Sequence, residues 1–346
     1  MTGIDTDIQH YAADTDPPRW RPGEFALRDA WFPVAHIPTL GARPLRRTVH
    51  SQPYYLWLDA GRIRAANHHP KSPRRWSPTS FTDDHGHYPV VDRYGHAWVW
   101  YGDPAHADPA LLPDIPFLPL DKAQPSHAWG VNFMRCTYEL VLENILDLTH
   151  TDFIHAAYAG ETEVFEEDSI AFESTSETVT MIRTVKKRPT SRYQRDVLGV
   201  TDPYQDQTAF THVFIRSGVC FLHSHYSSAP SMPLMQSNTP ESRIMTRANF
   251  AFGLQQTDDA RFAREWPRTA TIIGEQDEGV LNPQNPRYLL KPPQRDCSTA
   301  FDAAGLHYRK RQMALVERQK QGDTTYHPDA ADAAKVADVL KIRRQH

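Results

Sequence analysis

Short runs of alternating apolar and polar residues recur over the first hundred positions of the chain. They fall at 31–35 (Trp-Phe-Pro-Val-Ala), 54–58 (Tyr-Tyr-Leu-Trp-Leu), 61–66 and 94–100, and Gly and Pro interrupt them. A period of two with aromatic and branched residues predicts a small antiparallel β domain over 25–105. The polar residues 1–24, with Pro17, Pro18 and Pro22, predict an extended arm. Residues 106–127, with Pro109, Pro113, Pro116, Pro119 and Pro125, predict a linker. Longer elements follow in a second domain at 128–326. Strands are expected at 131–138, as a pair within 170–187, and at 210–215, 219–226 and 243–254. Helices are expected at 140–150, 262–273 and 306–321, with a basic loop at 188–195. Residues 327–346 read as a polar C-terminal arm suited to subunit contact. The whole is α+β.

One stretch concentrates chemistry. Residues 143–155 read Glu-Asn-Ile-Leu-Asp-Leu-Thr-His-Thr-Asp-Phe-Ile-His, which places Asp147, His150 and His155 within nine residues among apolar neighbours. Imidazoles are good ligands for Fe, Zn and Cu. Asp147 stands one helical turn before His150, where it can serve as a ligand or orient a ring. A step of five residues turns a regular helix by about 500°, which aims the two rings about 140° apart. One ion can take both only if the helix bulges or unwinds between them. Since the chain holds 18 histidines, a solvated helix edge is the plain alternative. A third ligand must come from further along, where Asp258, Asp259, Glu275, Asp277, Glu278, Asp296 and Asp302 are all candidates.

Composition narrows the class. The 346 residues carry a net charge of −4, which gives no basic footprint for nucleic acid. No apolar run reaches the ~20 residues needed to span a bilayer. The N-terminus lacks the features of a signal peptide, so a cytoplasmic protein is expected. Cys136, Cys220 and Cys297 are far apart, with none of the close spacing of an Fe–S site, and read as small buried hydrophobes.

The pattern Asn144-x-x-Asp147-x-x-His150-x-x-x-x-His155 resembles the iron-binding helix of the Rieske non-haem iron oxygenases. The resemblance implies a helix-grip (START-like) catalytic domain and a mononuclear Fe(II) held by His150, His155 and a carboxylate. Residues 274–284, Gly-Glu-Gln-Asp-Glu-Gly-Val-Leu-Asn-Pro-Gln, are similar to the family segment that supplies that carboxylate, so Asp277 is the expected ligand. It also implies O2 as cosubstrate and NAD(P)H as indirect electron source through a reductase. Asp147 matches the residue that bridges an electron-donating cluster to the iron. Asn144 is expected to orient O2 or a ligand. His223 and His225, alternate on a strand, are expected to line the substrate pocket.

The small β domain resembles the Rieske domain of the same family, with one departure. Where the family carries Cys-Pro-His-Arg, this chain reads His69-Pro70-Lys71-Ser72, and the second Cys-x-x-His is absent. Sixteen residues, 72–87, remain where a second lobe would stand, leaving His68, His69, His85 and His87 in the region. A scaffold without its own [2Fe–2S] cluster is expected, with electrons supplied by a cluster-bearing paralogue in a trimer or hetero-hexamer. The resemblance points to demethylation or hydroxylation of a small aromatic or heterocyclic compound. Two other readings stay open. The site could activate water without redox chemistry, or the chain could be a structural partner of an active paralogue.

Overall fold

The computed structural model describes residues 27–67, 69–70, 88–118, 128–159, 167–231, 233–253, 260–289 and 297–325. Both expected arms, Lys71 and His68, His85 and His87 lie outside these residues, as do Asp258, Asp259 and Asp296.

The N-terminal third forms two three-stranded antiparallel sheets. The first joins β1 (Ala30–His36), β6 (His96–Tyr101) and β5 (Val90–Arg93) in the order β1-β6-β5. The second is β2 (Leu45–Val49), β3 (Gln52–Asp59) and β4 (Arg62–Ala66). The run expected as a strand from Tyr94 starts two residues later, at His96. Tyr94 and Gly95 have φ of 56° and 73° and turn the β5–β6 hairpin. The buried Tyr94 hydroxyl then accepts from the Ile115 amide, 3.0 Å away. Ile115, Phe117 and Leu118, in the stretch expected as a linker, are fully buried in the core.

A seven-stranded antiparallel sheet dominates the rest. Its strands are β7 (Ala128–Met134), β8 (Glu167–Ser174), β9 (Thr178–Pro189), β10 (Tyr204–Phe214), β11 (Val219–Tyr226), β12 (Leu234–Ser242) and β13 (Met245–Phe252), in the order β7-β13-β12-β11-β10-β9-β8. Among the described residues six helices accompany it: α1 (Tyr138–Leu146), α2 (Thr151–Ile154), α3 (Ala156–Ala159), α4 (Arg192–Asp196), α5 (Ala260–Leu289) and α6 (Ala303–Lys320). Mixed helices and antiparallel sheets agree with the α+β expectation. No helix among the described residues is long and apolar enough to cross a membrane.

Directly paired residues of a sheet share a face, so the register sorts the side chains. Phe210 pairs with His223 and Phe214 with Val219. With Phe221 and Met235 they form one core with Trp31, Trp98 and Trp100 of the small sheets. The opposite face carries Met181, Ala209, Val213 and Cys220, which pack against Leu140, Val141 and Ile145 of α1, Leu281 of α5 and Tyr308 of α6. Each such fully buried aliphatic side chain contributes ~1.5–3 kcal/mol. The sheet is thus a wall between the small β sheets and the helices, and the candidate site lies on the helix side.

Three local readings need correction. Residues 188–195 are not a loop: β9 runs on to Pro189, and Ser191 and Gln194 cap α4 reciprocally. The helix expected at 262–273 runs unbroken to Leu289, through Pro267, Pro283 and Pro286. Cys297 is exposed, whereas Cys136 and Cys220 are buried as expected.

Candidate metal centre

Helix α1 ends where the chemistry begins. Asp147 leaves helical geometry (φ −95°, ψ 88°), and its Oδ1 accepts from the Thr149 amide at 2.9 Å and the Thr149 hydroxyl at 2.5 Å. This local turn rewinds the chain before His150. One short turn later the chain leaves helical geometry again at His155 (φ −114°, ψ 26°). The breaks therefore fall before His150 and at His155, and the single helical turn α2 between them stays intact. The two rings meet with centroids 5.1 Å apart at 78°.

Asp277 reaches the rings from the middle of α5. Its Oδ1 lies 3.0 Å from His155 Nε2 and 3.5 Å from His150 Nε2. One donor atom from each of the three residues falls within 4.8 Å of the others. Close approach of α5 to β7 makes this possible. A Cβ on Gly274 would sit 2.0 Å from Asn132 Nδ2, the atom that donates to the Ala270 carbonyl at 3.1 Å. The opposite edge of each imidazole is also held. His150 Nδ1 donates to the Asp147 carbonyl, and His155 Nδ1 donates to Gln276 Oε1 at 2.9 Å. With each Nδ1 committed, both Nε2 atoms face Asp277, as expected of metal-ligating histidines.

Electrostatics favour a cation at this point. Burial alone would raise the Asp277 carboxyl, but hydrogen bonds from His150 and His155 outweigh it and hold the group below the usual carboxylate range. Burial likewise opposes charge on His150, yet the Asp277 carboxylate wins and its pKa is raised. The donor set of two imidazoles and a carboxylate, with both rings oriented from behind, fits a mononuclear divalent metal.

Asn144 does something the sequence does not disclose: its Nδ2 donates to Asp277 Oδ1 at 3.0 Å. Further residues escaped notice altogether. Asp152, one residue past Thr151, is 4% exposed and accepts from Arg183 at 2.7 Å and Arg188 at 2.5 Å. Arg183 also donates to the Leu148 carbonyl and to Asp168 through two nitrogens. This network fastens the turn that carries His150 and His155 to β9. Its one signal was a charged residue recurring within apolar strands. Glu143 similarly ties α1 to α5 and α6, accepting from Tyr288 and, through both oxygens, from Arg309.

Two openings reach the centre. An inner cavity of about 190 Å³ lies between His155 and the sheet, with Arg183, Gln207, Leu222, Ser224, Tyr226 and Trp266 in its wall. An adjoining 130 Å³ reaches Asp277 and Asn144. On the other side, a wider groove of 680 Å³ exposes Asp147 and His150 beside Glu143, Arg287 and Arg309. His223 borders the inner cavity, but its ring lies on the small-sheet face, edge-on to Phe210 and 3.2 Å from Ser231 Oγ. His225 is exposed and is not part of the cavity wall. The residues of β11 that face inward have the other parity: Leu222, Ser224 and Tyr226. His69 is half-buried, with its ring 5.3 Å from that of Tyr55.

Two histidines and one carboxylate on adjacent sites are the ligand set of non-haem Fe(II) oxygenases. The vanillate O-demethylase oxygenase C-terminal domain matches residues 134–318. The vanillate O-demethylase oxygenase subunit of Pseudomonas sp. (strain ATCC 19151) is 37% identical over 79 residues, 23% of this chain and 23% of that protein. The oxygenase component of dicamba O-demethylase from Stenotrophomonas maltophilia is 27% identical over 177 residues, 40% of this chain and 50% of its own length. The aligned stretches thus span half or less of these relatives. Dicamba monooxygenase bound to dicamba superposes with a TM-score of 0.70 at 18% identity, over 85% of this chain and 98% of that one, a likeness of fold. The chain belongs to the vanillate O-demethylase oxygenase family, within the Rieske non-haem iron oxygenases.

Proposed function

We propose that the chain is a mononuclear Fe(II) oxygenase component that demethylates or hydroxylates a small aromatic or heterocyclic compound. The observation that carries this reading is the convergence of His150 Nε2 and His155 Nε2 on Asp277 Oδ1, with both Nδ1 atoms engaged from behind. His150, His155 and Asp277 would hold the iron, which when bound supplies O2 activation. Asn144 positions the Asp277 carboxylate, and the apolar inner cavity excludes water around the substrate. The relatives are oxygenase subunits of O-demethylases, which favours O-demethylation here.

On this reading the large sheet with α5 is the helix-grip unit of 128–326, and 25–105 is a Rieske-like unit without cluster ligands. All three cysteines fall after residue 118, so that unit offers no thiolate. Burial pushes the Cys136 and Cys220 thiols up to about 12, which keeps them protonated. Electrons then come from a cluster on a partner, drawn from NAD(P)H through a reductase. The groove exposing Asp147 and His150 is the approach for that partner.

The test is metal analysis and a visible spectrum on anaerobically purified chain, then O2-dependent turnover with a co-expressed cluster-bearing paralogue. About one iron per chain, no Fe–S absorption from the chain alone, and partner-dependent product are expected. Cluster absorption from the chain alone would overturn the borrowed-electron arrangement. Hydrolytic turnover without O2 would establish a water-activating site instead.

A further inference from the structure

The inner cavity has a mixed wall whose parts suggest what it holds. Leu222, Leu234, Phe252, Trp266 and Ile273 supply apolar surface suited to a ring. On the sheet side, Gln207 pairs with Tyr226 and Ala209 with Ser224, so all four share the inward face. Gln207 is 7% exposed, and its Nε2 donates to the Tyr226 hydroxyl at 3.3 Å. Its Oε1 has no partner among the described residues. Ser224 lies two residues before Tyr226 on the same inward face of β11. A buried amide oxygen left unmatched costs free energy until something donates to it.

The charged groups of the same wall are already engaged. Arg183 is paired with Asp152 and Asp168, and Arg188 with Asp152. No surplus cation is therefore offered to a ligand by this pair of arginines, and the open recognition element is the neutral Gln207–Tyr226 pair. A hydroxyl both donates and accepts, so it satisfies this pair whichever way the Gln207 amide is turned.

We propose that Gln207, positioned by Tyr226, reads a phenolic hydroxyl on a single-ring substrate, and that it sets specificity at the proposed oxygenase site. This rests on the oxygenase reading for its chemistry, but its test does not require turnover. A site built to bond a hydroxyl discriminates against the analogue that lacks one, because its own polar group is then stranded.

The experiment is calorimetric titration of the full chain with 2-, 3- and 4-methoxyphenol, each against the methoxytoluene in which methyl replaces hydroxyl. At least one methoxyphenol should bind roughly tenfold more tightly than its methyl counterpart. Gln207→Leu should bring that ratio to about one while the methoxytoluene affinity stays within roughly twofold. Tyr226→Phe, which keeps the ring and removes the positioning hydroxyl, should shrink the ratio without loss of fold. Equal affinities in the parent chain, a ratio that survives Gln207→Leu, or no binding of either series overturns the proposal. An intact hydroxyl preference with no O2-dependent turnover counts against the oxygenase reading alone.

Discussion

Asn144 donates a hydrogen bond to Asp277 across 3.0 Å, joining α1 to the middle of α5 at the oxygen that also faces both histidines. This one contact fixes where the carboxylate points before any ion arrives. Groups that orient a ligand from behind are worth about 10–100-fold in metal affinity. Asn144→Ala should therefore lower Fe(II) affinity by that factor with an unchanged fold, as read by metal competition and circular dichroism. Asn144→Asp should be at least as damaging, since a second carboxylate faces Asp277. Unchanged affinity in both variants would remove Asn144 from the site.

The Arg183 network makes a prediction about stability. Arg183 and Asp152 are 4% exposed, and Arg183 links Asp152, Asp168 and the Leu148 carbonyl. Removing one member of a buried ion pair leaves its partner without compensation and costs ~3–5 kcal/mol. Arg183→Met should lower the urea midpoint accordingly and loosen metal binding, because Leu148 and Asp152 flank the metal-binding turn. The exposed pair Arg192–Asp196, with side chains 77% and 61% exposed, is the control. Arg192→Ala should change stability by no more than about 0.5 kcal/mol.

These two cases show what the sequence discloses and what it hides. His150 and His155 are legible as a close pair of imidazoles in an apolar stretch, but the position of the breaks is not: they fall before His150 and at His155, with the helical turn Thr151–Ile154 intact between them. Asp277 came through resemblance. Its place in the middle of a 30-residue helix did not: the expected helix stopped at 273, ahead of a stretch that holds Pro283 and Pro286. Tertiary contacts override them: Leu281 packs in the core with α1, and Asn285 accepts from the Thr137 amide at 2.9 Å. His223 borders the inner cavity and His225 does not; alternation fixes only that the two share a parity. Which parity faces inward depends on the pairing of β10 with β11, a relation between distant segments. Arg188 read as a loop residue because a charged side chain in a basic stretch shows nothing of Asp152, 36 residues away.

Five buried histidines predict acid sensitivity. Burial lowers His36 and His223 to about 4 and His50 and His212 to about 3, and holds His96 well below its ordinary value. In the unfolded chain these rings take protons near pH 6.5, whereas in the folded chain they do not. Below about 6.5 the unfolded state therefore binds more protons, and stability falls as pH falls toward the folded values. Above 6.5 both states are neutral at these positions and the effect vanishes. Each ring contributes up to about 1.4 kcal/mol per pH unit within that window. Urea unfolding of the metal-free chain between pH 7.5 and 5 should show a steep loss of stability on the acid side. His50 is the best single probe. It has a φ of 46° and packs against Phe32, Tyr101 and Tyr138. His50→Asn suits that left-handed backbone and cannot titrate. It should flatten the slope by about one proton, even if packing lowers stability at every pH. A slope identical to the parent's would mean that His50 is already protonated in the folded chain.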